Sequence, residues 1–298
     1  METEAKAIIA LMPWLSGKQV KVRRLKRGLT NRNYRLDCEG GPYVLRIMEE
    51  NSRLLGIDRR AEYAALLAAA DAGVGPEVVA FLPRKRALVT RFVKGRTLAP
   101  KALREPAVLR RVVASLRRYH ACLNGAGTFS GFETVRRYYA QARRRKVTFP
   151  RSIDPALRIL ARIEDETGVP ERVCHCHNDL LSSNLVDDRR KVWILDWEYA
   201  GTGDLFFDLG NLAANNLFKQ EEENLLLQYY FGKARPADLR RLGMMRLVSD
   251  MREAMWGFLQ MGISRLDFDY QAYACRHLER FLQAAGRVAL CKSARNDL

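Results

Sequence analysis

Between positions 177 and 198 the chain reads His177-Asn178-Asp179-Leu180-Leu181-Ser182-Ser183-Asn184 and then Trp193-Ile194-Leu195-Asp196-Trp197-Glu198. Asp179 and Asn184 stand five residues apart on a short loop, and a hairpin with Asp187-Asp188-Arg189-Arg190 as its turn returns Asp196 beside Asn184. This order of side chains suits phosphoryl transfer to a hydroxyl, which asks a protein mainly for positioning and charge neutralisation. The reaction needs one carboxylate to orient the attacking hydroxyl and accept its proton. It also needs oxygen ligands for the magnesium that bridges nucleotide phosphates, and Asp179, Asn184 and Asp196 are the candidates for this set. Any one of the three would pass for a turn or cap residue. The whole set in this order points to catalysis.

Such a loop needs rigid elements around it. In the first third, Lys18–Leu25 and Asn33–Cys38 read as strands joined by a turn at Gly28, and Gly40-Gly41 turns the chain into the strand Tyr43–Ile47. Arg59–Ala72 is rich in Ala and Leu, reads as a helix, and stops at Gly73. Strands near Val78–Phe81 and Ala87–Phe92 follow. From Lys101 onward the period becomes helical, with Leu103, Leu109, Val112, Val113 and Leu116 in one apolar stripe. The segment Asn184–Trp197 interrupts as strand, turn and strand; Glu221–Phe231, Ala237–Phe258 and Asp267–Arg287 are again helical. The expected fold class is α+β. A small antiparallel β-rich lobe, residues 1–93 with a short amphipathic helix at Met1–Trp14, precedes a larger, mainly helical lobe, residues 94–298. A cleft between them is a protein-kinase-like arrangement, and the Asp-x-x-x-x-Asn loop with a returning Asp is the one protein kinases use.

Composition narrows the partners. Of 298 residues, 51 are Lys or Arg and 34 are Asp or Glu, a net charge of +17 that is compatible with nucleic-acid binding, with attraction of anionic ligands such as nucleotides, or with solubility alone. The densest basic run, Arg143 to Lys146, comes with no nucleic-acid-binding motif, so a solvated helix face is expected there rather than nucleic acid. No apolar run approaches the roughly 18 residues of a membrane span, and the N-terminus lacks a signal-peptide pattern. A cytoplasmic protein with no membrane partner and reduced cysteines is expected. In Cys174-His175-Cys176-His177 alternate residues of a strand point to opposite faces. These four are therefore not expected to converge on zinc, and a buried strand running into the catalytic loop is the reading instead.

From about Gly28 to Phe281 the chain resembles the choline/ethanolamine kinase family, within the aminoglycoside-phosphotransferase-like kinases. The resemblance rests on Gly28-Leu29-Thr30-Asn31, Tyr43–Ile47, the catalytic loop, Leu195–Gly201, Phe207-Asp208-Leu209-Gly210-Asn211 and Arg252–Gln260. It implies ATP and Mg2+ as cofactors, Asp179 as catalytic base, and Asn184 and Asp196 as magnesium ligands. Gly28, Thr30 and Asn31 would belong to the nucleotide-covering loop. Arg46 would sit where most kinases place a phosphate-binding lysine, and its strand parity agrees, because Leu45 and Ile47 take the core face. Glu62 is the expected partner of Arg46, and adenine is expected near Thr90–Val93, with Phe92 beside it. Asp208 is expected to brace the catalytic loop.

For the acceptor, Glu198, Tyr199 and Trp256 match positions the family uses around its substrate amine, and aromatic faces with a carboxylate suit a desolvated cation. Two departures stand out. Glu253 occupies a place where eukaryotic choline kinases carry a second Trp, and Asn215 replaces a family Glu. The expected acceptor is a small amino alcohol, choline first, with thiamine or ethanolamine next. An aminoglycoside acceptor ranks lower because of Arg46 and the Trp256 stretch. A non-catalytic nucleic-acid-binding protein ranks last because Asp179, Asn184 and Asp196 are intact.

Overall fold

The computed structural model describes residues 2–25, 31–48, 50–122 and 127–296. Gly28 and Thr30, and the turn expected there, lie outside the described residues. The first lobe begins with helix α1 (Glu2–Ile9) and continues through β1 (Lys21–Leu25), β2 (Asn31–Cys38), β3 (Gly41–Met48), α2 (Arg59–Asp71), β4 (Val78–Leu82) and β5 (Ala87–Arg91). The strands form one antiparallel sheet in the order β1-β2-β3-β5-β4. Alternation decides which side chains go where. Tyr34, Leu36, Tyr43, Leu45, Ile47, Ala87 and Val89 turn to one face and meet Ala5 and Ile8 of α1 with Met12 and Leu15 behind it. Leu88 and Met48 turn the other way, towards Leu66 and Ala69 of α2. Arg46 lies between two core residues of β3 and so emerges on the face away from α1.

Helix α2 starts where Asp58 caps it, accepting from the backbone N–H of Arg60 at 2.8 Å and of Ala61 at 3.3 Å. It ends at Ala72, followed by Gly73 at φ +69°, a left-handed position that glycine takes without strain. The sequence reading of this helix was correct to within a residue. The strand expected from Lys18 begins only at Lys21, because Gly17 at φ +72° and the turn around it keep the chain irregular.

The second group of elements is β6 (Arg96–Thr97), α3 (Pro106–His120), α4 (Gly131–Arg144), α5 (Ile153–Thr167), β7 (Val173–Cys176), β8 (Leu185–Asp187), β9 (Val192–Ile194), β10 (Gly201–Asp204), α6 (Leu205–Asn215), α7 (Gln220–Phe231), α8 (Pro236–Ile263) and α9 (Tyr270–Asn296). β6 pairs with β8 and not with the first sheet. The chain therefore changes partners just after β5. Leu109, Val112, Val113 and Leu116 are buried on α3 as their spacing requires, and Pro106 opens that helix at a position where its missing N–H costs nothing. Leu103 is buried too, in the 3-10 turn ahead of α3. Among the described residues no helix is long and apolar enough to cross a membrane.

Helix α8 is the central strut of this lobe, packed by α6, α4 and α9. Gly257 sets its distance from α9: a Cβ there would stand 2.9 Å from Ala274 Cβ and 3.1 Å from Tyr273 Cδ1. Gly257→Val is expected to destabilise the fold by about 2 kcal/mol through overpacking. It should also displace Tyr273. A urea midpoint equal to wild type would refute the close-approach role.

Candidate active site

Strand β7 delivers the chain into the loop at His177. Two backbone N–H groups there, of His177 and Asn178, donate to the two oxygens of Asp208 at 2.7 and 2.6 Å. Asp208 lies in the first turn of α6, whose start is capped by Asp204. One turn on, Asn211 Oδ1 accepts from Leu180 N–H at 2.6 Å, and Asn216 Nδ2 donates to Leu180 O at 3.1 Å. The loop is thus clamped on both sides of Asp179 by side chains from α6 and its end. Burial would raise the Asp208 pKa, yet the hydrogen bonds it accepts from His120 and from the His177 backbone hold it below its ordinary value. The clamp lets Asn178 sit at φ +65°, and Asp196 on the returning hairpin sits at φ +67°. Both are uncommon for residues other than glycine and need surrounding contacts to hold them. Asn178 has them, since its Nδ2 also donates to Tyr199 O at 3.0 Å.

Hairpin β8–β9 does what its sequence spacing asks. Leu195 N–H donates to Asn184 O at 2.8 Å, which sets Asp196 beside Asn184. Asn184 Nδ2 donates to Asp179 O at 3.0 Å, so its amide oxygen is the atom that could ligate a cation. His177 completes the loop in a neutral form: its Nε2–H donates to Leu195 O at 2.9 Å, while Nδ1 accepts from Asp179 N–H at 3.1 Å. Burial lowers its pKa, in keeping with that form.

A cavity of about 860 Å3 opens between the lobes over these residues. At its first-lobe side, Arg46 Nη1 lies 2.9 Å from Glu62 Oε1 and 2.9 Å from Asp196 Oδ1. The Arg46–Glu62 pair expected from sequence is therefore present, and it reaches the hairpin as well. Arg59 bonds Glu62 at 2.6 Å and Glu198 at 3.3 Å, and Asn31 Nδ2 donates to Glu198 at 2.9 Å. These bonds hold Glu198 at the junction of β2 and α2 with the hairpin. Burial, with Asp196 and Glu62 close by, pushes its pKa up to about 7. Thr90, Arg91, Phe92 and Val93 line the cavity, as does Asn184. The N–H groups of Arg91 and Phe92 are already given to Glu77 O and Pro42 O, and the guanidinium of Arg35 covers the Phe92 ring at 4.3 Å. Asn184 and Asp196 form an all-oxygen donor set. Asp196 Oδ1 is buried and accepts no hydrogen bond among the described residues, although Arg46 is near. A hard divalent cation such as Mg2+ fits that set.

On the second-lobe side, Arg252 Nη1 donates to Asp179 Oδ1 at 3.2 Å and is ion-paired with Glu253. Its guanidinium lies over the Tyr199 ring at 4.6 Å. Glu253 accepts from Tyr273 OH at 2.6 Å, and the Tyr273 ring meets Trp256 edge-on at 5.5 Å. Burial pushes the Asp179 pKa up to about 7, with Arg252 opposing and Glu253 and Asp196 adding to the rise. A carboxylate in that range is a proton acceptor near neutral pH. Trp197, next to the site in sequence, goes into the core instead and packs on Tyr119 at 4.2 Å.

Arg252, Tyr273 and Arg59 were not assigned from the sequence. Arg252 had a signal, since it stands four residues before Trp256 and shares its helix face. Tyr273 had none, being on the next helix. The segment expected to be a buried strand, Cys174 to His177, is only partly so: Cys176 and His177 are buried, but Cys174 and His175 are half-buried. Strand β7 pairs only with β10 in a two-stranded sheet, and its outer end reaches the surface.

A family model described as the phosphotransferase enzyme family matches residues 21–244. Ethanolamine kinase 2 of Mus musculus is 25% identical over 316 residues, covering 94% of this chain and 80% of that protein. Among solved structures, a choline/ethanolamine kinase family protein from Mesorhizobium loti aligns with TM-score 0.82 and 30% identity, over 95% of this chain and 94% of its own. Choline kinase LicA from Streptococcus pneumoniae shares the fold, with TM-score 0.80 and 18% identity over 96% of this chain and 99% of its own.

Proposed function

The chain belongs to the phosphotransferase enzyme family, and within it to the choline/ethanolamine kinase family; from that premise we propose that it transfers the γ-phosphoryl group of ATP to the hydroxyl of a small amino alcohol, with choline as the leading acceptor. One observation carries the reading. Asp179 is joined through Arg252 and Glu253 to Tyr273 and Trp256, so the proton acceptor and the aromatic walls share one cavity.

In this reading Asp179 orients the acceptor hydroxyl and takes its proton as the oxygen attacks phosphorus. Asn184 and Asp196 hold magnesium, which when bound offsets charge on the nucleotide phosphates. Arg46 forks onto phosphate oxygens, with Glu62 fixing its direction. Asn31 steadies Glu198 where the covering loop enters β2. Phe92 and its neighbours line the adenine end. The lobe of residues 1–93 thus holds the nucleotide, and that of residues 94–298 carries the base and receives the acceptor. Trp256 and Tyr273 offer aromatic walls to a cationic headgroup, an attraction of about 2 kcal/mol when desolvated, while the Tyr199 ring carries the guanidinium of Arg252. A compartment rich in ATP, the cytoplasm, suits this chemistry.

The test is ADP release with ATP and Mg2+ against choline, ethanolamine, thiamine and kanamycin, with Asp179→Ala as the blank. The highest kcat/KM on choline supports the reading. A preference for kanamycin, or no turnover on any of the four, overturns the acceptor assignment. Two variants refine it. Trp256→Ala should raise KM for choline about 10- to 30-fold while leaving KM for ATP near wild type; equal rises in both would mark Trp256 as packing only. Arg46→Met should lower kcat/KM for ATP about 10- to 100-fold, the worth of one charge-assisted hydrogen bond. An ATP dependence equal to wild type would remove Arg46 from the phosphate.

A further inference from the structure

Behind the catalytic loop lies a second set of ligating atoms that phosphoryl transfer does not use. Cys174 and Cys176 are two apart on β7, so both thiols point to one face. Their sulfurs stand 3.5 Å apart. His120, the last residue of α3, brings a ring nitrogen to the same place, and the three ligand atoms all lie within 4.8 Å of one another. The two histidines of the strand segment are engaged elsewhere, His175 with Thr202 Oγ1 at 3.0 Å and His177 with the catalytic loop. The third ligand comes instead from a helix 54 positions earlier in the chain.

Three facts favour a metal over plain packing. Two thiolates held tetrahedrally at about 2.3 Å from zinc stand about 3.8 Å apart, close to the spacing here. His120 Nε2–H donates to Asp208 at 3.0 Å, so Nδ1, now 2.7 Å from Tyr230 OH, carries the lone pair. A carboxylate that accepts from the other ring nitrogen is what usually orients a zinc-binding histidine. A disulfide is the poorer alternative. Residues two apart on a strand are about 6.6 Å apart at Cα, at the far edge of the disulfide range of about 4.4–6.8 Å.

We propose that Cys174, Cys176 and His120 form a binding site for a thiophilic divalent metal ion, zinc by its donor set, at the root of the catalytic loop. On binding, the two thiols release their protons to solvent and bind as thiolates, His120 binds as neutral imidazole through Nδ1, and water or the Tyr230 hydroxyl takes the fourth position. The soft sulfur and nitrogen donors separate this site from the all-oxygen pair Asn184 and Asp196. Through His120 and Asp208 the ion would tie α3 to the backbone of His177 and Asn178.

The experiment is titration of the metal-stripped full chain with Co2+ in the presence of millimolar Mg2+, read by the near-ultraviolet thiolate-to-cobalt charge-transfer band. One equivalent per chain should saturate the band, and the Cys174→Ser/Cys176→Ser double variant should lack it. Zn2+ should raise Tm of the wild type and leave that of the double variant unchanged, since an ion that binds only the folded state stabilises it. Should the double variant not fold, Cys174→Ser alone, at the less buried position, must still lose about half of the band, because only the Cys176 thiolate remains. A wild-type chain without the band, or a band that survives Cys174→Ser at full intensity, overturns the proposal.

Discussion

Asp179→Asn is expected to lower kcat about 1,000-fold, within the range that general-base catalysis supplies, while KM for ATP stays within about twofold because no uniform binding is lost. The substitution keeps size and shape, and the new amide oxygen can still accept from Arg252. None of the contacts that clamp the loop uses the Asp179 side chain; they run from the backbone of His177, Asn178 and Leu180 to Asp208 and Asn211. The fold should therefore survive. Stability should hold or rise slightly, because a buried carboxylate whose pKa burial has already pushed up to about 7 is an expensive group to keep ionised. Steady-state kinetics and a urea melt on the same preparation check both halves. A kcat within tenfold of wild type would remove Asp179 from the proton-accepting role, whatever the melt shows.

The contrast between what the chain announces and what it conceals follows from how far apart the partners are. The catalytic loop and its returning hairpin are local: Asp179, Asn184 and Asp196 fall within eighteen residues, and one strand–turn–strand brings them together. The helix Arg59–Ala72 was legible because its Ala- and Leu-rich run and its stop at Gly73 are short-range chemistry. Leu45, Arg46 and Ile47 were legible because a strand has a period of two. The last helix shows the limit of periodicity. It was expected from Asp267 but begins at Tyr270, because Asp269 accepts from Ala272 N–H at 2.8 Å and fixes the start there. The rest depends on contacts between distant segments. Asp208 and His120 are 88 positions apart, and Tyr273 reaches Glu253 only because Gly257 lets α9 lie close to α8. Likewise, the two cysteines of β7 do share a face, as alternation requires, but the residue that completes their set sits at the end of α3.

The acceptor end of the cavity raises the question of what Arg252 is for, since a cationic substrate gains nothing from a guanidinium close by. Arg252 is buried and ion-paired with both Asp179 and Glu253. Arg252→Met should therefore cost about 3–5 kcal/mol, the usual penalty for leaving a buried charge without its partner. The double variant Arg252→Met/Glu253→Gln should recover more than half of that, because the most buried orphaned carboxylate is then gone. Activity should respond through the base. Arg252 opposes the rise of the Asp179 pKa, so without it the base holds its proton to higher pH, and the acid limb of kcat/KM should move up in both variants. Glu253 adds to that rise, so the limb should return part of the way in the double variant. Chemical melts and pH–rate profiles of the two proteins separate these effects. If the single variant were as stable as wild type and its acid limb unmoved, Arg252 would be a bystander. The alternative outcome, a large loss of stability with a shifted limb, makes it the residue that lets a buried, near-neutral carboxylate act as a base beside a second carboxylate. On that reading Glu253, already held by Arg252 and Tyr273, is not the anchor for the substrate amine. The aromatic walls of Trp256 and Tyr273 are left to recognise it, which favours a methylated headgroup over one that needs hydrogen-bond acceptors.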